Sequence, residues 1–332
     1  MSNRKKDHIE LACKARVGAE GLDQRFYFEP LFAAHPQPEV YDEAFDFLGK
    51  RMRAPLWISS MTGGTEHAGR INRHLAKACR QFGLGMGLGS CRSLLDSDEH
   101  WDDFNLRPIL GPDAPFFANL GIAQVEELLG KNEIEKLLLV CDRLQTDGLI
   151  VHINPLQEWM QPEGDRFNHP PLETLRALLE VFPRPLIVKE VGQGFGPESL
   201  KALLELPLAA IDFGAAGGTN FALLEMLRDA GEQEDFRPFT QIGHTAEEML
   251  DWVRDLLAQP DVLPACRHLI ISGGIKDFLH GYYLLERSPL PAVYAQASAF
   301  LKPAMESYEV LEKYVANQLR GLHLAKAMLK VK

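Results

Sequence analysis

The stretch PLIVKEVGQGFGPESLKALLEL (185–206) holds one complete structural unit, and its reading decides the fold. PLIVKEV (185–191) is a short run rich in aliphatic and β-branched residues, the pattern of a strand buried on both faces. Turn glycines in GQGFG then interrupt it. PESLKALLEL (197–206) follows, with proline at its first helical position and leucines at helical spacing. A strand leading through a glycine loop into an amphipathic helix is a βα unit, and repeats of that unit require a parallel sheet.

Seven further runs of the same kind flank it. They are PLWISS (55–60), GLGMGL (83–88), PFFANL (115–120), GLIVHI (148–153), AAIDFG (209–214), HLIISG (268–273) and AVYAQA (292–297). Helical patterns lie between them, among them INRHLAKACRQF, PPLETLRALLEVF, NFALLEMLRDA and TAEEMLDWVRDLL. Eight units predict an α/β fold, a closed (β/α)8 TIM barrel rather than an open doubly wound sheet. FTQIG (239–243) would make a ninth strand, which such a barrel cannot use, so it is read as a loop entering a helix near Thr245. Residues 1–54 are then an N-terminal extension and 55–332 the barrel, with no internal repeat or linker.

Composition narrows the function. With 332 residues, 46% hydrophobic and 24% charged, the chain can bury a full core. A net charge of -11 argues against a nucleic-acid or anionic-membrane partner, so an anionic ligand would need a local cluster of Lys and Arg. The five cysteines are scattered without a CxxC pair, which fits a reducing cytoplasm and argues against structural zinc. HIELACKAR is too short and too charged for a signal peptide, and no apolar run approaches the ~20 residues of a membrane helix. A soluble cytoplasmic protein is expected.

In such a barrel the chemistry sits where strands end. Those positions read SSMTGG, GSCR, ANLG, HINPLQE, VKEVGQGFG, AAGGTN, SGGIK and QASAF. Glycine pairs at 63–64, 217–218 and 273–274 allow backbone N–H groups to approach a ligand, and together favour one bearing phosphate. Neither G-x-G-x-x-G nor a P-loop is present. Lys189 interrupts a buried strand, where an ammonium group needs an anion nearby. Alternation sends Glu190 to the opposite face, so Lys189 is expected inside the barrel, facing a cofactor or anion. His152 and Asn154 share one face of their strand, and Gln157 and Glu158 follow at once. Arg166 is read as a partner of Asp165 or Glu163.

The segments RKKDHI (4–9), ISSMTGG (58–64), MGLGSCR (86–92), ANLG (118–121), HINPLQE (152–158), QPEGDR (161–166), IVKEVG (187–192), GGTNF (217–221) and SGGIK (272–276) resemble type 2 isopentenyl-diphosphate isomerase. The resemblance runs in order from residue 4 to about 303, and HINPLQE followed by QPEGDR is its specific part. It implies a flavoprotein TIM barrel, a homotetramer or homo-octamer, acting in isoprenoid biosynthesis. The implied reaction interconverts isopentenyl and dimethylallyl diphosphate with reduced FMN as acid/base cofactor, NADPH as reductant and Mg2+ on the diphosphate. Met61, Thr62, Gly63, Ser90, Asn119, Lys189, Thr219, Gly273, Gly274 and Ala295 would then bind FMN. Arg4, Lys5, His8, Arg92, Asn154 and Gln157 would bind substrate, with Gln157 and His152 beside the reacting carbons and Glu158 on Mg2+.

Five positions depart from the family pattern. Gly196 stands where a serine contacts the diphosphate, Asp277-Phe278 where a threonine-glycine pair is usual, and Gln296 in place of a glycine of the strand 8 phosphate loop. Cys91 makes SCR of the usual SQR. Asp277 is expected to repel a phosphate and weaken FMN. Two other readings compete: a related FMN barrel such as a 2-hydroxy-acid oxidase, which would need a histidine base near strand 7, and a non-catalytic flavin- or phosphate-binding paralogue.

Overall fold

All eight runs form strands: β1 (Leu56–Ile58), β2 (Gly85–Gly87), β3 (Phe116–Gly121), β4 (Gly148–Ile153), β5 (Leu186–Glu190), β6 (Ala210–Asp212), β7 (Leu269–Ser272) and β8 (Ala292–Gln296). This computed structural model describes residues 2–36, 44–60, 66–228 and 234–332. Each strand pairs in parallel with the next, and β8 returns to β1, so the sheet closes in sequence order. Closure removes the two exposed edges that an open sheet would carry.

The barrel interior is a packed core. Trp57, Phe117, Ile150, Ile187, Ala210, Ile270 and Val293 fill it from seven strands, all fully buried. β2 contributes only glycine there, and the reason is room. A Cβ on Gly85 would stand 2.3 Å from the Trp57 ring, and one on Gly87 would stand 2.4 Å from Ile150 Cδ1. The large residues of neighbouring strands occupy that space.

The extension has three parts. Helix Ser2–Ala12 is exposed from Arg4 onward. Phe26–Phe28 pairs antiparallel with Leu329–Val331, tying the front of the chain to its end. Phe45–Phe47 and Lys50–Met52 form a hairpin under the barrel. Its Phe47 meets Trp57 and His268 edge-on, with ring centroids 6.4 and 5.2 Å apart. Phe47 and Met52 therefore belong to the interior core and close the bottom.

The expected helices appear as Glu66–Phe82, Pro171–Val181, Pro197–Leu204, Phe221–Arg228 and Ala246–Leu257. FTQIG is not a strand: it spans the end of a 3-10 segment, Glu234–Gln241, and the loop after it. Thr245 opens the next helix with a capping box. Its Oγ1 accepts from Glu248 N (3.3 Å), and its own N–H donates to Glu248 Oε2 (2.8 Å). The β2–β3 connection carries a 3-10 turn, Arg92–Leu95, and two short helices, Trp101–Phe104 and Arg107–Leu110.

Candidate active site

The alternation that buries Ile150 and Ile187 brings the next inward residues, His152 and Lys189, to the upper rim of the barrel. Register sets Gly121, His152, Lys189 and Asp212 side by side across β3 to β6. Beside Lys189 a cleft of about 230 Å³ opens. Ser59, Ser60, Ser272 and Ala295 line it at the strand ends. Thr219, Gly273, Gly274, Lys276 and Ser298 line it from the loops.

The glycine pairs lock the outer wall. Gly273 has φ 90°, and a Cβ there would lie 2.0 Å from Ala215 O, so no other residue fits without moving backbone. Gly217, at φ 101°, packs directly on Gly274, to whose Cα a Cβ would come within 3.3 Å. Opposite them Ala297, Ser298 and Ala299 begin helix Ser298–Glu306, so the positive end of that helix faces the cleft. Glycine backbone against a helix N-terminus is a phosphate cradle. Among the described residues, Ser59 Oγ and Ser60 Oγ are buried in the lining of the cleft without a partner. Buried polar atoms are normally satisfied, so these two hydroxyls suit a polar, phosphate-bearing cofactor such as FMN.

Glu190 faces away from Lys189, and its Oε2 accepts from the N–H groups of Gly192 (2.6 Å), Gln193 (2.6 Å) and Gly194 (2.8 Å). Burial pushes its carboxyl up, and those three donors pull against it. Lys189 Nζ donates to Glu190 O (2.6 Å), a backbone contact rather than an ion pair.

On β3, Asn119 Nδ2 donates to Leu88 O (3.0 Å), which leaves its Oδ1 to face His152 Nδ1 (2.8 Å). The hydrogen therefore sits on Nδ1, and Nε2 is left as an acceptor. Burial, with nearby Lys189, brings the His152 pKa down to about 4, so the ring is neutral at pH 7.

The helix Pro155–Met160 begins at the end of β4 and holds the rest of the motif. Asn154 Nδ2 donates to Gln157 Oε1 (3.2 Å) and Glu158 Oε1 (2.8 Å). Asp165 N donates to Glu158 Oε2 (2.7 Å), so QPEGDR folds back on HINPLQE. Gln157 Nε2 reaches Glu225 Oε1 (3.1 Å), a buried carboxylate whose other oxygen accepts from Arg228 Nη1 (2.6 Å). Arg92 Nη1 and Gln124 Nε2 both donate to Asp165 Oδ2, at 2.7 and 2.5 Å.

Lys189, Thr219, Gly273, Gly274 and Ala295 thus share one cleft. Asn119 and His152 form one bonded pair, and Asn154, Gln157 and Glu158 another cluster. Ser90 is exposed at the turn before Arg92, and Met61, Thr62 and Gly63 lie outside the described residues. Arg4, Lys5 and His8 sit on the exposed N-terminal helix, and among the described residues they make no hydrogen bond or ion pair with the barrel. No group of three or more His, Cys, Asp or Glu converges as a metal cage among the described residues. Nor is any described helix long and apolar enough to cross a membrane.

Two expectations are corrected, those for Asp277 and Arg166. Asp277 does not line the cleft: its Oδ1 accepts from His280 N (2.9 Å) and caps helix Phe278–Arg287. Gln296 does line the cleft at the end of β8. Its Nε2 donates to Ile275 O (3.1 Å) and its Oε1 accepts from Tyr314 (2.8 Å), tying the loop in place. Arg166 pairs with neither acid. It lies 4.9 Å over the Trp159 ring and donates to Glu158 O (2.6 Å), while Asp165 pairs with Arg92 and Glu163 with Arg228. Phe278 packs on Gly321, where a Cβ would stand 2.5 Å from the ring. Gly196 is the residue before Pro197 at the helix start, with open contact distance to His244.

Asp212 and Glu225 were not anticipated as site residues. An acid inside the apolar run AAIDFG was a legible signal, of the same kind that marked Lys189. Glu225 sits on a leucine-rich helix with no local cue.

No family model matches the chain. Curated relatives do. It is 33% identical over 330 residues to the isopentenyl-diphosphate delta-isomerase of Mycolicibacterium gilvum, covering 97% of this chain and 92% of that one. The chain belongs to the isopentenyl-diphosphate delta-isomerase family. The family's Deinococcus radiodurans member is 35% identical over 296 residues, covering 89% and 83% of the two chains, and that of a Synechococcus strain 35% over 337 residues, covering 98% and 91%. Among solved structures, a mandelate oxidase with an FMN adduct superposes with TM-score 0.54 at 12% identity, covering 91% of this chain and 88% of its own. A flavocytochrome b2 gives 0.58 at 14%, with 91% and 72% covered. That likeness is one of fold.

Proposed function

We propose that this chain interconverts isopentenyl and dimethylallyl diphosphate, with FMN in the cleft and Mg2+ on the diphosphate. The observation that carries the reading is the junction of two halves: the cleft beside Lys189, and the Asn154-Gln157-Glu158 cluster at the adjoining strand end. FMN would lie with its phosphate against Gly273, Gly274 and the start of helix Ser298–Glu306, and its ring towards Lys189. Met61, Thr62, Gly63, Ser90, Asn119, Thr219 and Ala295 complete its proposed surroundings. Bound and reduced by NADPH, it supplies the proton relay that moving a double bond requires.

The chain's own residues then position. Neutral His152 and Gln157 flank the isoprenoid carbons, and a neutral amide or a ring with pKa about 4 orients rather than acidifies. Glu158 is one carboxylate, as Mg2+ needs when a diphosphate and waters supply its other ligands. Arg92 leaves its bond to Asp165 or shares it to meet the diphosphate. Arg4, Lys5 and His8 would add positive charge from the N-terminal helix, making residues 1–54 part of the substrate site. A cytoplasmic homotetramer or homo-octamer completes the proposal. Among the described residues the 2-hydroxy-acid oxidase reading finds no histidine base lining the cleft: His280, after β7, bonds to Glu247 (2.7 Å) outside it. The test is anaerobic incubation with isopentenyl diphosphate, FMN, NADPH and Mg2+. Dimethylallyl diphosphate is the expected product, and its absence from protein that has bound FMN overturns the reading.

A further inference from the structure

Asp212 is fully buried at the end of β6, in register with Lys189 of β5. Ser272 Oγ donates to its Oδ1, and Ser272 Oγ in turn accepts from Gly214 N (2.8 Å), so the carboxyl plane is fixed. Its Oδ2 has no hydrogen-bond partner among the described residues. Burial raises the pKa of this acid, and the Lys189 charge pulls it back down. A neutral carboxylic acid would put an O–H on Oδ2 with nothing to accept it. A carboxylate leaves no such orphan donor, and Lys189 stands in register on the adjoining strand to balance its charge.

Lys189 has the complementary problem. It is 8% exposed and donates to one backbone oxygen, leaving two N–H groups over. The charged and titratable groups around it are few. His152 on β4 is neutral above pH 5. Glu190 points the other way, into its three backbone donors. Lys276 lines the same cleft and adds positive charge. Among the described residues, Asp212 is the one acid placed to balance Lys189 from within the barrel.

We propose that Asp212 is the positioning residue that holds Lys189 as an ammonium ion aimed into the cleft. It touches neither substrate nor cofactor and acts through the lysine. The inference gives the FMN reading a specific device, a fixed positive charge at the electron-rich part of the cofactor, and rests on that reading only for its purpose.

The test needs no cofactor. Apo-protein is labelled with acetic anhydride from pH 6 to 10, and acetylation of Lys189 is followed by mass spectrometry. Asp212→Asn keeps the shape and removes the charge, so the lysine should lose its proton at lower pH. About tenfold more labelling of the variant than of wild type at pH 8 is expected. Identical profiles for the two proteins, with unchanged circular dichroism, would overturn the inference. Should Asp212→Asn not fold, Ser272→Ala frees the carboxylate without removing it; a smaller shift in the same direction supports the proposal and none defeats it. FMN affinity adds a second readout. The variant should bind about tenfold more weakly relative to wild type at pH 8 than at pH 6 if the lysine charge holds the cofactor. Failure of the wild type to take up FMN would sink the flavin reading, while the labelling profile still decides the role of Asp212.

Discussion

At the scale of single residues, the HINPLQE motif divides its work between neighbours. Glu158 has both oxygens hydrogen-bonded and one carboxylate charge to offer a hard cation. Glu158→Gln keeps the shape and removes that charge, so activity should fall and recover in part as Mg2+ is raised. Gln157→Leu loses the contact to Glu225 and, on the proposed reading, the one to the reacting carbons, and should lower kcat by ~100-fold with the Mg2+ dependence unchanged. An identical Mg2+ response from both variants would refute the division. His152 gives a stability test. Its folded pKa of about 4 lies below the unfolded value of 6.5, so the unfolded chain binds the extra proton first. Its contribution is complete above pH 6.5 and declines as pH falls towards 4. Urea midpoints at pH 7 and pH 5 should therefore differ more for wild type than for His152→Gln. Residues legible in the sequence were those whose neighbours in the chain betray them: Lys189 in an apolar strand, the glycine pairs, the crowded HINPLQE. Asp277 misled because helix capping and phosphate repulsion look alike until the backbone direction is known. Glu225 could not be read at all, since Gln157, the partner that ties it to the site, lies more than sixty residues away, and its bond to Arg228 three residues on looks like an ordinary helix-surface pair.

At the scale of elements, all eight strands were legible because strands buried on both faces read as continuous apolar runs. β2 is the instructive case: GLGMGL looks weak, yet its glycines make way for Trp57 and Ile150. Gly85→Ala should therefore destabilise the barrel by about 1–3 kcal/mol through overpacking, measured by chemical denaturation, although alanine is the better strand former. The hairpin Phe45–Met52 escaped notice because Asp46, Lys50 and Arg51 leave its strands without a continuous apolar run. Helix Ser2–Ala12 stands apart from the packing. Deleting residues 1–8 should leave the melting temperature and flavin spectrum intact while raising KM for the diphosphate, because charge-assisted bonds to phosphate are strong. An unchanged KM would mark Arg4, Lys5 and His8 as solvated surface.

At the scale of the molecule, charge and closure act together. A chain of net charge -11 repels a diphosphate everywhere except where cations are held in place, so Lys189, Arg92 and Lys276 matter beyond their number. The plug formed by Phe47 and Met52 sets a traffic rule. With the floor sealed, the mouth is the one doorway among the described residues, and whatever lies against Lys189 must enter first and depart last. On the proposed reading the diphosphate would wait behind the flavin on the way in and bar its way on the way out. Excess substrate should slow FMN dissociation in a stopped-flow chase, and an exit rate indifferent to substrate would mean that the barrel has a second door.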